Sequence, residues 1–323
     1  MSAACLWFAT RGTDWEAVGR VLGSASIPWV LASAASSVLA ILLRAQRWRL
    51  LLRPVAAVPL APAFSATAIG FAATAVLPLR LGEVIRPAVL ARRVGFGLSP
   101  AVSSVVLERL FDMLFVVLCF LVLSVIYPLP ADLRRAALVL GAIAVGGFVV
   151  LLVASRTRSR AERLLDAVLG WLPAAVGQVL RPLAIGFLDA LGALESANIV
   201  GGVVGYSAVL WAANALPFLF GLLALGIAVP LVSAALACVV VVAAFVFMPQ
   251  APGFLGTWQA GCVVALDLFG VPKDLAVGFS LLTWVTQMLV NVPLGGYFAS
   301  REDVSLRQLV RGGAPAPAAE EGS

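Results

Sequence analysis

The sequence predicts an all-α, polytopic membrane protein, and three observations carry that prediction. Hydrophobic residues make up 62% of the 323 positions and charged residues 12%, with a mean hydropathy of +1.05. A water-soluble domain of that size could not place so much apolar side chain at its surface. The apolar runs are also continuous and rich in Leu, Ala and Val, where a barrel strand would alternate over about 10 residues. Finally, the basic residues are almost all Arg and cluster at the ends of those runs, a distribution that fixes membrane topology rather than binding nucleic acid, despite the net charge of +6.

The same composition excludes several kinds of chemistry. Histidine is absent, which removes imidazole acid/base work, Ser-His triads and His-metal sites. Cys5, Cys119, Cys238 and Cys262 have no CxxC or zinc spacing and read as small buried hydrophobes. No Gly-rich nucleotide loop is present, and no metal or cofactor is expected. The short apolar run 3–9 lacks a basic region ahead of it, so a mature helix rather than a cleaved leader is the expected insertion signal.

Residues 1–26 form a short N-terminal segment, and residues 27–300 a single transmembrane domain. Residues 27–43 are the first span, followed by Arg44, Arg47, Arg49 and Arg53. That arginine cluster marks the cytoplasmic end and puts the N-terminus outside. The apolar run 61–79 is closely followed by Arg80, Arg86, Arg92 and Arg93. If it crossed, two adjacent loops on opposite faces would both be Arg-rich. A re-entrant hairpin that breaks between Pro78 and Gly82 resolves the conflict, because proline removes a backbone donor and glycine permits a sharp turn. Spans over 100–127 and 136–154 follow, the second ending in Arg156, Arg158, Arg160 and Arg163. The stretch 164–194 is amphipathic and reads as interfacial, within a segment of 156–198. Residues 199–225 cross next. Residues 231–247 lead to a second Pro/Gly break at Pro252, Gly253 and Gly256, residues 275–298 form the last span, and 301–323 a disordered cytoplasmic tail.

The two breaks match. Phe71, Pro78, Leu81 and Gly82 recur as Phe245, Pro252, Leu255 and Gly256, so PLRLGE is answered by PGFLGT, and AVSSVVLERLFDM by AVGFSLLTWVTQM. Repeat-like halves of about 61–127 and 231–298 are separated by three spans, an odd number that would invert one relative to the other, as in many secondary transporters. In this pairing Glu83 corresponds to Thr257, Glu108 to Thr283 and Asp112 to Gln287.

Charge is concentrated in the first half. On one helix Glu108 and Asp112 stand at i, i+4, too close to coexist without shared cations. Arg80 and Arg86 of the hairpin, with Arg109, supply them, and a network joining Glu83 and Arg86 to Glu108, Arg109 and Asp112 is expected. Two readings stay open. The charges either brace the hairpin at the cytoplasmic interface or line a wet cavity that receives a polar headgroup, with Arg suited to bidentate phosphate contact. In the second case Thr257 and Gln287 are the milder counterparts. Candidate binding residues are therefore Arg80, Glu83, Arg86, Glu108, Arg109, Asp112, Thr257 and Gln287. No catalytic set is assigned.

RxxRW at Arg44 to Trp48, P-x-R-x-G-E at Pro78 to Glu83, ERLFD at Glu108 to Asp112 and the late PGFLGT resemble the lysylphosphatidylglycerol synthase transmembrane, or flippase-like, family of bacterial and archaeal proteins, over roughly residues 27–300. The resemblance implies a multi-pass inner-membrane protein. It also implies a lipid flippase-like role, moving a phospholipid or isoprenoid-lipid headgroup between leaflets, with membrane lipids as partners and without the aminoacyltransferase domain of larger members. Related chains are associated with hopanoid and other isoprenoid-lipid pathways. A non-catalytic subunit working beside lipid-synthesis enzymes, and a membrane transferase acting on a headgroup, are the alternatives. Two departures stand out: the leading apolar helix of many members is reduced here to a few residues near Leu6, and the Asn often found before the first hairpin's proline is missing from 75–77.

Overall fold

A computed structural model describes residues 2–171, 181, 185, 187–188, 191–246 and 251–302, and the described residues are helical throughout, with no strand. The chain begins with two short helices, α1 (Ser2–Thr10) and α2 (Trp15–Gly23). The first long helix, α3, runs Ile27–Leu52, starting at Pro28 in its first turn. It continues nine residues past the expected end at 43, so the arginines that follow the apolar run lie on the helix and not in a loop.

Next come α4 (Leu60–Val76), a 3-10 turn at Pro78–Arg80, and α5 (Gly82–Val94). Leu77 is extended (φ −94°, ψ 145°) because Pro78 crowds the α conformation of its predecessor, and this ends α4. The 17 residues of α4 span about 26 Å at ~1.5 Å per residue, short of a ~30 Å hydrocarbon core. A long helix, α6 (Leu98–Ile126), follows, then α7 (Ala131–Arg156), which covers the expected return, and α8 (Arg158–Leu169). Within the stretch expected to lie at the interface, residues 172–180, 182–184, 186 and 189–190 fall outside the described residues, as does the tail beyond residue 302.

The second half repeats the order of elements in the first. Long α9 (Ala197–Ala224) leads to short α10 (Leu231–Val246), a 3-10 turn at Pro252–Phe254, α11 (Thr257–Asp267) and long α12 (Lys273–Arg301). The likeness thus reaches back to α3 and α9, further than the sequence halves did. Four helices, α3, α6, α9 and α12, are long and apolar enough to cross a membrane among the described residues.

The halves pack reciprocally. α3 lies against its counterpart α9, with Trp29 stacked on Phe220 at 5.7 Å and Ser33 Oγ donating to Pro217 O at 3.2 Å. α4 of the first half packs on α12 of the second, and α10 of the second on α6 of the first. The two 3-10 turns also touch each other.

Backbone conformation at the breaks corrects one expectation. Gly82 does not supply a left-handed turn; the residue with positive φ is Arg80 (φ 57°). Gly82 is needed for proximity instead, since a Cβ there would stand 2.0 Å from Gly70 O and 2.1 Å from Thr74 Oγ1. At the second break Gly253 (φ 64°) and Gly256 (φ 88°) are left-handed, as the Pro/Gly pattern requires, and so is Phe254 (φ 60°). Arg80 and Phe254 are the two non-glycine residues with positive φ among those described, and they occupy equivalent places in PLRLGE and PGFLGT.

Candidate functional site

Three elements bring the charged residues together. Arg44 and Arg47 stand one turn apart near the end of α3, Arg80, Glu83 and Arg86 lie on the first break and the start of α5, and Glu108, Arg109 and Asp112 share one turn of α6.

Glu108, 1% exposed, is the hub of a buried back row. Its Oε1 accepts from Arg47 Nη2 at 2.8 Å and Arg44 Nη1 at 3.2 Å, and its Oε2 from Arg86 Nη1 at 2.8 Å. Asp112 sits beside it, 2.8 Å from Arg47 Nη1 and 3.0 Å from Arg44 Nη1. Two carboxylates one turn apart are thereby held by shared guanidiniums, whose planar forks suit such bridging. Arg86 lies 3.9 Å above the ring of Trp48, a cation-π contact that accounts for its face, and Trp48 Nε1 donates to Ser104 Oγ at 2.9 Å. Arg47 Nη1 also reaches Ser207 Oγ on α9 at 3.1 Å, tying the cluster to the other half.

The front row is more open. Arg80 Nη2 and Arg109 Nη2 meet on Glu83 Oε1 at 2.7 and 3.2 Å, and Arg109 Nη1 stands 3.4 Å from Asp112. Arg80 holds its place in a backbone conformation that costs a non-glycine residue about 1–3 kcal/mol. Glycine would make the same turn without strain.

The front row lines a cavity of about 210 Å³. Arg44, Arg80, Glu83, Arg109 and Asp112 give the lining its charge, and Ser37, Asn214, Gln287 and Asn291 add neutral polar groups. Phe71, Trp211, Phe218, Phe254, Trp258 and Met288 make apolar walls. The neutral groups are linked: Ser37 Oγ donates to Gln287 Oε1 at 3.1 Å, and Gln287 Nε2 to Asn291 Oδ1 at 3.3 Å. Trp211 Nε1 is buried on this wall and has no hydrogen-bond partner.

Of the eight candidate binding residues, Arg80, Glu83, Arg109, Asp112 and Gln287 line the cavity, and Arg86 and Glu108 stand behind it. Thr257 does not reach it; its Oγ1 donates to Phe254 O at 2.9 Å and closes the second break from inside. Sequence reasoning gave Arg44 and Arg47 to topology alone, and the structure corrects this by burying both in the cluster. Their signal was present in RxxRW: positions 44, 47 and 48 share one helical face, which an arginine serving only as a surface charge would not need. Asn214 and Asn291, polar residues inside the spans over 199–225 and 275–298, were not among the candidates, and the fold turns both into the cavity.

Over residues 1–295 the chain matches the family described as the lysylphosphatidylglycerol synthase TM region. The chain belongs to that family. No curated protein matches it, and neither does any solved structure. The family match begins at residue 1, so α1 and α2 are part of the family's region and not an addition to it. Their packing agrees: Ser2 Oγ accepts from Ala251 N at 2.8 Å, and Lys273 Nζ donates to Phe8 O and Arg11 O at the end of α1. As a member of this family the protein is a lipid-related, multi-pass membrane protein, with its charged cluster and its two breaks inside the matched region.

Proposed function

We propose that this protein passes the polar headgroup of a membrane lipid, phospholipid or isoprenoid, between leaflets as a flippase-like transporter. The supporting observation is the cavity itself, which is lined by residues of both helix breaks and carries charged residues of the first. At about 210 Å³ it is smaller than the ~300–1,000 Å³ of pockets that enclose a drug-sized ligand. A headgroup fits such a space while its tails remain in lipid beside the apolar walls.

The element order, the reciprocal packing and the equivalent strained residues Arg80 and Phe254 support an inverted repeat whose breaks are re-entrant hairpins. In that arrangement irregular backbone at membrane depth is tolerated because it is buried in protein or faces the cavity. Each half contributes one break, and rocking of one half against the other would open the cavity to alternate sides. The Arg-rich ends of α3 and α7 then face the cytoplasm, as does the C-terminal end of α12.

The test is a leaflet-sidedness assay with the purified protein in vesicles containing fluorescent lipid. Glu83→Gln and Arg109→Ala, both at the open front row, are expected to lower the translocation rate at least tenfold while the protein remains monodisperse. Unchanged lipid movement in both variants would remove the cavity from the mechanism.

A further inference from the structure

The charges around the cavity do not balance. Five guanidiniums, those of Arg44, Arg47, Arg80, Arg86 and Arg109, share three carboxylates, those of Glu83, Glu108 and Asp112, which leaves two positive charges in excess. Arginine does not lose its proton in proteins, so the excess cannot be relieved by titration. Glu108 is saturated, with three arginines on its two oxygens. The surplus is split, with three arginines on two carboxylates behind and two arginines on one carboxylate in front. The front share borders the cavity, where Arg80 and Arg109 converge on a single oxygen of Glu83 and the Nε of each is buried without a partner. Two cations sharing one acidic oxygen beside open space is an arrangement completed by a second oxyanion.

The rest of the polar lining has a different character. Ser37, Asn214, Gln287 and Asn291 carry no charge, and Trp211 adds a buried N–H that lacks an acceptor. Amide and hydroxyl groups of this kind recognise hydroxyls, donating and accepting in turn.

We propose that the cavity selects lipids whose headgroup is a phosphate ester of net negative charge bearing a hydroxylated substituent. The phosphate lies against Arg44, Arg80 and Arg109, and the hydroxyls point toward Ser37, Asn214, Gln287 and Asn291. This rests on the headgroup-handling reading above and adds a sign and an orientation to it. A headgroup carrying an ammonium, whether zwitterionic or aminoacylated, brings a cation into a field that already has two in excess, and is disfavoured.

Equilibrium binding to the full chain in non-ionic detergent tests this, using short-chain probes: dihexanoyl phosphatidylglycerol, its lysyl ester, dihexanoyl phosphatidylcholine and dihexanoyl phosphatidylmethanol. Glycerol phosphate and inorganic phosphate serve as the lipid-free arms. Phosphatidylglycerol is expected to bind at least about tenfold more tightly than phosphatidylcholine or the lysyl ester, equivalent to ~1.4 kcal/mol. Phosphatidylmethanol, which keeps the anion and lacks the hydroxyls, is expected to fall in between. Arg109→Gln should abolish the preference for the anion and Asn291→Ala the preference for the hydroxyls. Arg80→Gln is the second probe of the arginine contacts if Arg109→Gln does not fold.

Equal affinity for phosphatidylcholine and phosphatidylglycerol would overturn the proposal, as would a preference that survives both arginine variants. Glycerol phosphate or inorganic phosphate binding as tightly as the lipid would reassign the cavity to a soluble anion and overturn the lipid assignment. No leaflets are present in this measurement, so failed translocation in vesicles with selective binding in detergent would sink the transport reading and leave the selectivity standing. The reverse result would do the opposite.

Discussion

At the scale of single residues, burial separates two kinds of charge that look alike in the sequence. Glu108 is 1% exposed and serves three arginines, whereas the Glu83 side chain is 28% exposed and serves two. Removing one member of a buried ionic network leaves uncompensated partners and costs about 3–5 kcal/mol, while an accessible pair contributes about 1 kcal/mol or less. Glu108→Gln is therefore expected to lower the thermal midpoint in detergent markedly and Glu83→Gln to leave it nearly unchanged, although both remove a carboxylate. Translocation should respond to Glu83→Gln without any loss of fold. Arg80→Gly makes a complementary test. Relief of the left-handed strain offsets the lost ion pair and the greater chain freedom of glycine, so stability should stay within about 1 kcal/mol of the parent while translocation falls. If stability drops by several kcal/mol, the side chain is a brace and not a part kept for the cavity.

At the scale of elements, the first break depends on how closely α4 and α5 approach. A methyl group at position 82 would meet Gly70 O and Thr74 Oγ1 at about half of a normal contact distance, and backbone cannot move aside as a flexible side chain can. Gly82→Ala should cost about 1–3 kcal/mol or more through overpacking and should displace Glu83 and Arg86 with the start of α5. Gly205→Ala is the control, because nothing lies within 4 Å of a Cβ there and alanine favours a helix interior by roughly 0.5–1 kcal/mol. Thermal melts of the pair measure the difference. At the second break, Gly256 combines a φ of 88° with a Cβ position 2.2 Å from Ser2 O, so the same turn that redirects α11 also seats α1.

At the scale of the whole molecule, the two halves share a skeleton and differ in charge. α6 carries Glu108, Arg109 and Asp112 where α12 carries Thr283, Trp284 and Gln287, yet each span reaches back to its own break. Arg109 Nη2 meets Glu83 at 3.2 Å, and Trp284 Nε1 donates to Gly253 O at 2.6 Å. The charged side chains of the cavity lining all come from the first half, while α9 and α12 add only neutral polar groups. The inverted arrangement itself is open to a labelling test. Single cysteines replacing Arg53 after α3 and Ala228 after α9, in a background without the native cysteines, are expected to react with a membrane-impermeant maleimide from opposite sides of the membrane. Reaction from the same side would make the repeat parallel.

The sequence by itself determined the helical membrane class, the spans that became α3, α6, α9 and α12, the two breaks and the charged turn of α6. All of these depend on local signals: continuous apolar runs, proline acting on its predecessor, and i, i+4 spacing. It also counted a fifth span at 136–154, which is not one of the four helices long and apolar enough to cross among the described residues. Only the tertiary structure decided that Arg44 and Arg47 are buried partners of Glu108, that Gly82 serves closeness and not turning, that Thr257 faces inward to its own break, and that Asn214 and Asn291 share a cavity with Arg109. Each of these depends on which face of a helix meets another element distant in the chain. In a membrane both the lipid face and the packed face of a helix are apolar, so periodicity that would separate inside from outside in water is weak, and the packing partner alone assigns the face.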